Sequence, residues 1–307
     1  MRKDVKEEKT KEMQTLRNGE KKEIPVIDGG WYTIAQNPNL GDFDGGEKQE
    51  PVDFAIWQAA EGTWQLWSCI RGTKCGGMKR LFYHWESASL VKEMWEPRGI
   101  VMQANPKFGE REGGLQAPYV LRIDNLYFMF YGGWDTICLA TSKDGVTFKR
   151  RLNAFGQSTI FSNGKDSNPR DPMVIQVDRY WHCYYTSNEG LDYCRTSEDM
   201  AKWSEPKVVA FAGQAGKGKS SAECPFIVIR GPYYYLFRTQ HYNDNPQTSV
   251  YRSKDPMDFG INNDEYFVCN LPVAAPEIVL DEEQYYIAAL LPNLKGIRIA
   301  KLKWVQE

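Results

Sequence analysis

From Ile24 to Trp304, short runs rich in Tyr, Trp, Phe, Val and Ile alternate with turns rich in Gly, Asn, Asp and Ser. Almost nothing in that span has helical spacing, so the pattern is all-β. The runs also repeat. Prolines open an apolar run at Pro118, Pro172, Pro225 and Pro276, at spacings of 54, 53 and 51 residues. Nine residues after each, an aromatic opens a second run: Tyr127, Trp181, Tyr234 and Tyr285. A third marker, Ser-x-Asp-x-x-x-aromatic, recurs from Ser142 to Phe148, Ser197 to Trp203 and Ser253 to Phe259. In it, short polar side chains close a turn on their own backbone while the aromatic packs beneath. A weaker, earlier copy runs from Val52 through Trp64 and Leu81 to Trp95.

A fixed period near fifty with three or four strands per unit predicts a propeller, one blade per unit, and five units are present. The second runs are apolar at successive positions, as expected for strands buried on both faces by stacked blades. The last unit supplies three strands, whereas residues 30–35 precede the first blade and have none of their own. The expected fold is therefore an all-β, five-bladed β-propeller with an N-terminal strand closing the last blade, which protects the sheet edges. Residues 1–23, rich in Lys and Glu, read as a charged tail, and residues 24–307 as a single propeller domain.

Composition narrows the function. Net charge is −2 and pI about 6.1, which gives no electrostatic case for nucleic acid or an anionic membrane. No run approaches the roughly 20 apolar residues of a membrane span, and residues 1–23 contain no apolar core of a signal peptide. The seven cysteines are odd in number and lack Cys-x-x-Cys spacing, which argues against structural zinc and against a disulfide framework. Cys183 and Cys194 flank a hairpin turn at Asn188-Glu189-Gly190 and are expected to be cross-strand neighbours. The thiol count favours a cytoplasmic location, with a trimmed, exported protein as the alternative. The glycine-rich stretch 213–218 lacks the strand and helix that frame a phosphate loop, so it reads as a connection between blades.

The innermost strands of a propeller line its axis, so their first residues converge at one mouth. Acidic residues stand there in blades one, three and four: Asp53, Asp171 and Glu223. Asp-Pro is also an ordinary way to begin a strand, as Asp255-Pro256 illustrates. Three carboxylates at one centre are a different matter. Crowding pushes their pKa values apart, so that one can hold a proton while another stays ionised, the division that glycoside cleavage requires.

Arg170-Asp171-Pro172 and Glu223-Cys224-Pro225, about fifty residues apart, resemble the Arg-Asp-Pro and Glu-Cys motifs of glycoside hydrolase family 32. The wider clan includes family 43, the arabinofuranosidases and xylosidases, whose three carboxylates also open blades one, three and four. This resemblance implies hydrolysis of a terminal furanoside or pentoside bond in a glycoside or oligosaccharide; no cofactor or metal is expected, because a single channel histidine is weak evidence for the cation that some clan members hold. Glu223 would be the general acid/base and Asp171 the transition-state stabiliser or pKa modulator. Arg170 would bind sugar hydroxyls. Asp53 would be a nucleophile in a family 32-like retaining enzyme or a base in a family 43-like inverting one. Residues 62–67 resemble the run after the family 32 nucleophile, but Glu50-Pro51-Val52-Asp53-Phe54 departs from that family's Trp-x-Asn-Asp-Pro-Asn-Gly. Trp134, in the Gly132-Gly133-Trp134-Asp135 loop, is the candidate sugar-stacking face, whereas Trp57, Tyr131 and Trp181 read as blade core. His241, after a blade-four strand, is a candidate facing the channel, and His182 reads as packed. The alternatives are a non-catalytic carbohydrate-binding propeller and a sialidase-like enzyme; five repeats rather than six count against the latter.

Overall fold

The computed structural model describes residues 22–307. The charged tail expected over residues 1–23 lies outside these residues except for Lys22 and Glu23. Five antiparallel sheets follow one another around a ring. Blade one contains Glu50–Gln58, Trp64–Arg71, Leu81–Ser87 and Glu96–Met102, in that order from the axis outward. Blade two contains Gln116–Ile123, Leu126–Gly132, Ile137–Ser142 and Thr159–Phe161, with Lys149–Arg150 as an added edge. Blade three runs Arg170–Val177, Tyr180–Thr186, Asp192–Ser197 and Lys207–Ala210. Blade four runs Glu223–Arg230, Tyr233–His241, Gln247–Ser253 and Phe267–Leu271.

Blade five takes Glu277–Asp281, Gln284–Leu290 and Gly296–Gln306 from the end of the chain and Glu23–Gln36 from its beginning. The closing strand is longer than the six residues expected. Ile24, Ile27 and Trp31 pack against the core, and the Gly29-Gly30 pair that reads as a break is an irregularity between Asp28 and Tyr32 within one continuous strand. Glycine suits that spot because Gly29 has φ +82°.

Strand periodicity explains the stacking. Neighbouring residues on a strand point to opposite faces, and both faces are buried here. Leu66 packs toward blade five while Trp67 packs toward blade two. Met129 turns to blade one and Phe130 to blade three. Tyr184 and Tyr185 divide in the same way between blades four and two. Each such aromatic buries area worth about 1.5–3 kcal/mol, and the ring is held by these inter-blade layers.

The recurring Ser-x-Asp turns form as expected. The Asp144 carboxylate accepts from the Ser142 hydroxyl at 2.6 Å and from the Val146 and Thr147 amides at 2.8 Å. These bonds pull its pKa down to about 2. Phe148 then packs edge-on to Trp57 and Trp67. Trp57 and Tyr131 are core, as read, and bond to Gly145 O and Glu110. His182 is buried and stacked on Tyr184. Cys183 and Cys194 are offset by one residue, because Cys194 lies opposite Tyr184 and Cys183 opposite Arg195. All seven cysteines are free thiols. At the 213–218 loop, Ala212 O and Gly216 O accept from Arg238 and the Ala215 amide meets the Tyr251 hydroxyl, so the loop packs on blade four. Among the described residues no helix is long and apolar enough to cross a membrane.

Candidate active site

At or near the start of every innermost strand stands one residue in the left-handed region: Asp53 (φ 36°), Ala117 (40°), Asp171 (58°), Cys224 (51°) and Ala275 (50°). In blades one to four a register shift in the pairing with the second strand accompanies it. Such bulges re-aim side chains. Because Ala117 and Ala275 share the conformation, it belongs to the architecture, and the two aspartates exploit it. This alignment corrects one expectation. Asp53 and Asp171 occupy matching positions, but Glu223 stands one residue earlier, level with Arg170, and Cys224 takes the matching place.

The offset gives the carboxylates different surroundings. Asp53 and Glu223 line a cavity of about 560 Å³ at the mouth of the ring, together with Arg170 and His241. Asp171 is only 5% exposed and lies behind, on a void of about 20 Å³ that also touches Asp53, Cys224 and Glu277. Cys224 ties the group together. Its backbone N–H donates to Asp171 Oδ2 at 2.9 Å, and its thiol donates to Asp53 Oδ1 at 3.3 Å. The Tyr242 hydroxyl lies 3.4 Å from the same sulfur. Oxygens of Asp53 and Asp171 and the Cys224 sulfur all lie within 4.8 Å of one another.

Arg170 grips Glu223 through two bonds, Nε to Oε2 at 3.0 Å and Nη2 to Oε1 at 2.6 Å. Its Nη1 is spent on Asn168 O and Asn188 Oδ1 at 3.1 and 3.3 Å. Burial opposes the guanidinium charge, but the charge of Glu223 and its hydrogen bonds outweigh that and raise the Arg170 pKa. Burial raises Asp53, with Glu223 adding to the rise while Arg80 and the Cys224 thiol oppose it. Asp171 is pushed well above the ordinary carboxylate range by burial and then by the charges of Asp53 and Glu223. Glu277 rises well above its usual value for the same reasons, burial first and then Asp53 and Asp171. The thiol of Cys224 is also raised well above its usual value, by burial and then by the surrounding acids, so it remains a donor.

Asp53, Asp171 and Cys224 are the described residues close enough to share a cation. Two oxygens and a thiol satisfy neither a hard ion seeking six or more oxygens nor a closed tetrahedral sulfur–nitrogen site. The arrangement reads instead as a hydrogen-bonded carboxyl cluster.

The other sequence candidates divide. His241 lines the cavity on an exposed strand end. Trp134 does not line it; its indole instead backs Arg80, whose Cζ lies 5.4 Å from the ring centroid. Cys224, Tyr242, Glu277, Arg71 and Arg80 are additions. Cys224 and Glu277 had a signal, each flanking a strand-opening proline, whereas the others lie outside the repeat phase.

No family model matches the chain. It is 25% identical over 217 residues to the extracellular exo-α-(1→5)-L-arabinofuranosidase ArbA of Cellvibrio japonicus (strain Ueda107), a match spanning 62% of this chain and 59% of that relative's length. Among solved structures, an exo-1,5-α-L-arabinanase from a bovine ruminal metagenomic library aligns with TM-score 0.61 and 19% identity. That alignment covers 86% of this chain and 95% of the other. A thermostable family 43 glycoside hydrolase aligns with TM-score 0.60 and 16% identity, over 90% and 92% of the two chains. At these identities the likeness lies in the frame: this chain is a five-bladed β-propeller of the fold seen in those glycoside hydrolases.

Proposed function

We propose that the protein is a glycoside hydrolase acting on a terminal sugar, of furanoside or pentoside type, at the mouth of the propeller. The observation that carries this reading is the Cys224 bridge, which holds Asp53 and Asp171 together beside Glu223 at the floor of a sugar-sized cavity. Glu223 faces the cavity and is the proton donor to the leaving oxygen. Asp53, also facing it, is the nucleophile or the base for water. Asp171 sits behind both and acts on them through its charge and through Cys224. In the free protein Arg170 occupies both oxygens of Glu223. Proton delivery therefore requires one of them to be released, and sugar hydroxyls competing for Arg170 provide the means. The name of the arabinofuranosidase relative supports the sugar class.

The decisive experiment is a screen of aryl furanosides and pyranosides, with anomer analysis by NMR and Glu223→Gln as control. The proposal expects turnover that the variant loses by at least a hundredfold. Turnover unchanged in Glu223→Gln would sink it. The double grip of Arg170 on Glu223 favours a second reading, a propeller that binds sugar without cleaving it. That reading expects binding with no turnover in the wild type, but it gives no reason for Asp53 to face the cavity. Seven free thiols support a reducing compartment, whereas the relative's name places that protein outside the cell.

A further inference from the structure

We propose that the cavity takes an acidic glycan, with Arg80 receiving the carboxylate of a uronic acid residue next to the terminal sugar. This rests on reading the cavity as a sugar site and adds the charge class of its ligand. The lining carries three guanidinium groups, Arg71, Arg80 and Arg170, against two carboxylates, Asp53 and Glu223. Arg71 is balanced by Glu50 just outside the lining, which leaves Arg80 and Arg170 against Asp53 and Glu223. Two of the three arginines are committed. Arg71 pairs with Glu50 at 2.7 Å and Arg170 with Glu223 at 2.6 Å. Arg80, among the described residues, forms no ion pair. Its guanidinium stands over the Trp134 ring at 5.4 Å and within 4.0 Å of the Cys69 sulfur, and the carboxylate it acts on, Asp53, lies beyond ion-pair distance.

The backbone beneath Arg80 is fixed. Its N–H donates to Gly113 O at 2.9 Å, and it bridges to Gly114. The loop before it packs so closely that a Cβ on Gly77 would stand 2.0 Å from Glu112 O. A guanidinium set on a rigid loop and backed by an indole has lost most of the entropy that binding would otherwise cost, and its planar donors match a carboxylate. Hydroxyl groups of a neutral sugar need donors, but they do not need a full positive charge. With Asp53 beyond ion-pair distance, the Arg80 guanidinium keeps donors free for a carboxylate that a ligand brings.

Isothermal titration of the purified protein with D-galacturonate, D-glucuronate, D-galactose, D-glucose and inorganic phosphate tests the proposal without requiring turnover. The wild type is expected to bind a uronate at least tenfold more tightly than its neutral congener. Arg80→Gln should lose that preference and Arg80→Lys should recover part of it, with thermal unfolding confirming that both variants fold. Equal affinity for acidic and neutral sugars, or a preference that survives in Arg80→Gln, would overturn it. So would binding of phosphate without uronate, which would mark a site for a free oxyanion. Uronate binding with no turnover of any glycoside would defeat the hydrolase reading and leave this one standing. Turnover of neutral glycosides with no uronate preference would do the reverse.

Discussion

The backbone N–H of Cys224 donates to Asp171 Oδ2 at 2.9 Å, across the boundary between blades three and four. The same residue sends its thiol to Asp53, so one side chain and one amide couple carboxylates from blades one and three. The coupling depends on the bulge, because a regular strand would turn Cys224 toward a blade neighbour. The assigned roles lead to measurable consequences.

Replacing Cys224 separates the donor from the packing. A hydrogen bond to the charged form of Asp53 favours ionisation, so its loss raises that pKa. Cys224→Ala should move the acid limb of the pH–rate profile to higher pH and lower kcat/KM about tenfold, the scale of a hydrogen bond to a charged group. Cys224→Ser, which keeps a donor, should restore the limb. Identical profiles for alanine and wild type would show that the thiol only fills space.

Asp171 should weaken the fold as pH rises. Its folded-state pKa is raised, by burial first, so the folded chain binds the proton more tightly than the unfolded chain. Stability from this group is present in acid and declines as pH climbs above the ordinary carboxylate range. Asp171→Asn keeps an acceptor for the Cys224 amide and removes the charge. Thermal unfolding should give a Tm at least about 2 °C above wild type at pH 7, with the difference vanishing near pH 4. A variant less stable at pH 7 would contradict the assignment.

Arg170→Lys preserves charge but not the two-pronged grip on Glu223. The variant should fold normally and lose about a hundredfold in kcat/KM on an aryl glycoside, most of it in kcat. A loss confined to KM would mean that Arg170 only binds sugar.

Asp192 and Arg238 form a buried pair at 3.1 Å whose two halves are unequal. Burial lifts Asp192 to about 7 despite the opposing charge of Arg238. Arg238 also donates to Ser221 O, Ala212 O and Gly216 O. Arg238→Met should therefore cost about 3–5 kcal/mol at pH 7, as for a broken buried pair, and Asp192→Asn distinctly less. Equal costs by urea unfolding would show that the full ionic interaction is present.

The ring was legible because its markers are backbone requirements: a proline where each inner strand begins and an aromatic where the next strand follows. Asp53, Asp171 and Glu223 were found from that phase. The one-residue offset of Glu223 was harder to read, since a bulge changes direction without changing strand length. Arg80 and Tyr242 were missed because they lie just beyond strand ends, where no periodicity governs them. Trp134 was misplaced for a related reason. Its backbone is left-handed at φ 83°, and its ring lies against Arg80 rather than lining the cavity.

Blade five joins segments that are distant along the chain. Gln36 pairs with Gly296 and Glu23 with Gln306. The entropic cost of so large a loop grows only slowly with length, so it bears on rate far more than on stability. During synthesis the closing strand emerges before the rest of the ring and stays unpartnered until Gly296–Gln306 follows. Until then Ile34 and the blade-one surface it covers, including Trp64 and Leu66, lack the layer formed by Ile297 and Ile299. The nascent ring thus carries an open seam while all five blades are being made, and that seam is where a chaperone would be needed and where premature association between copies would begin.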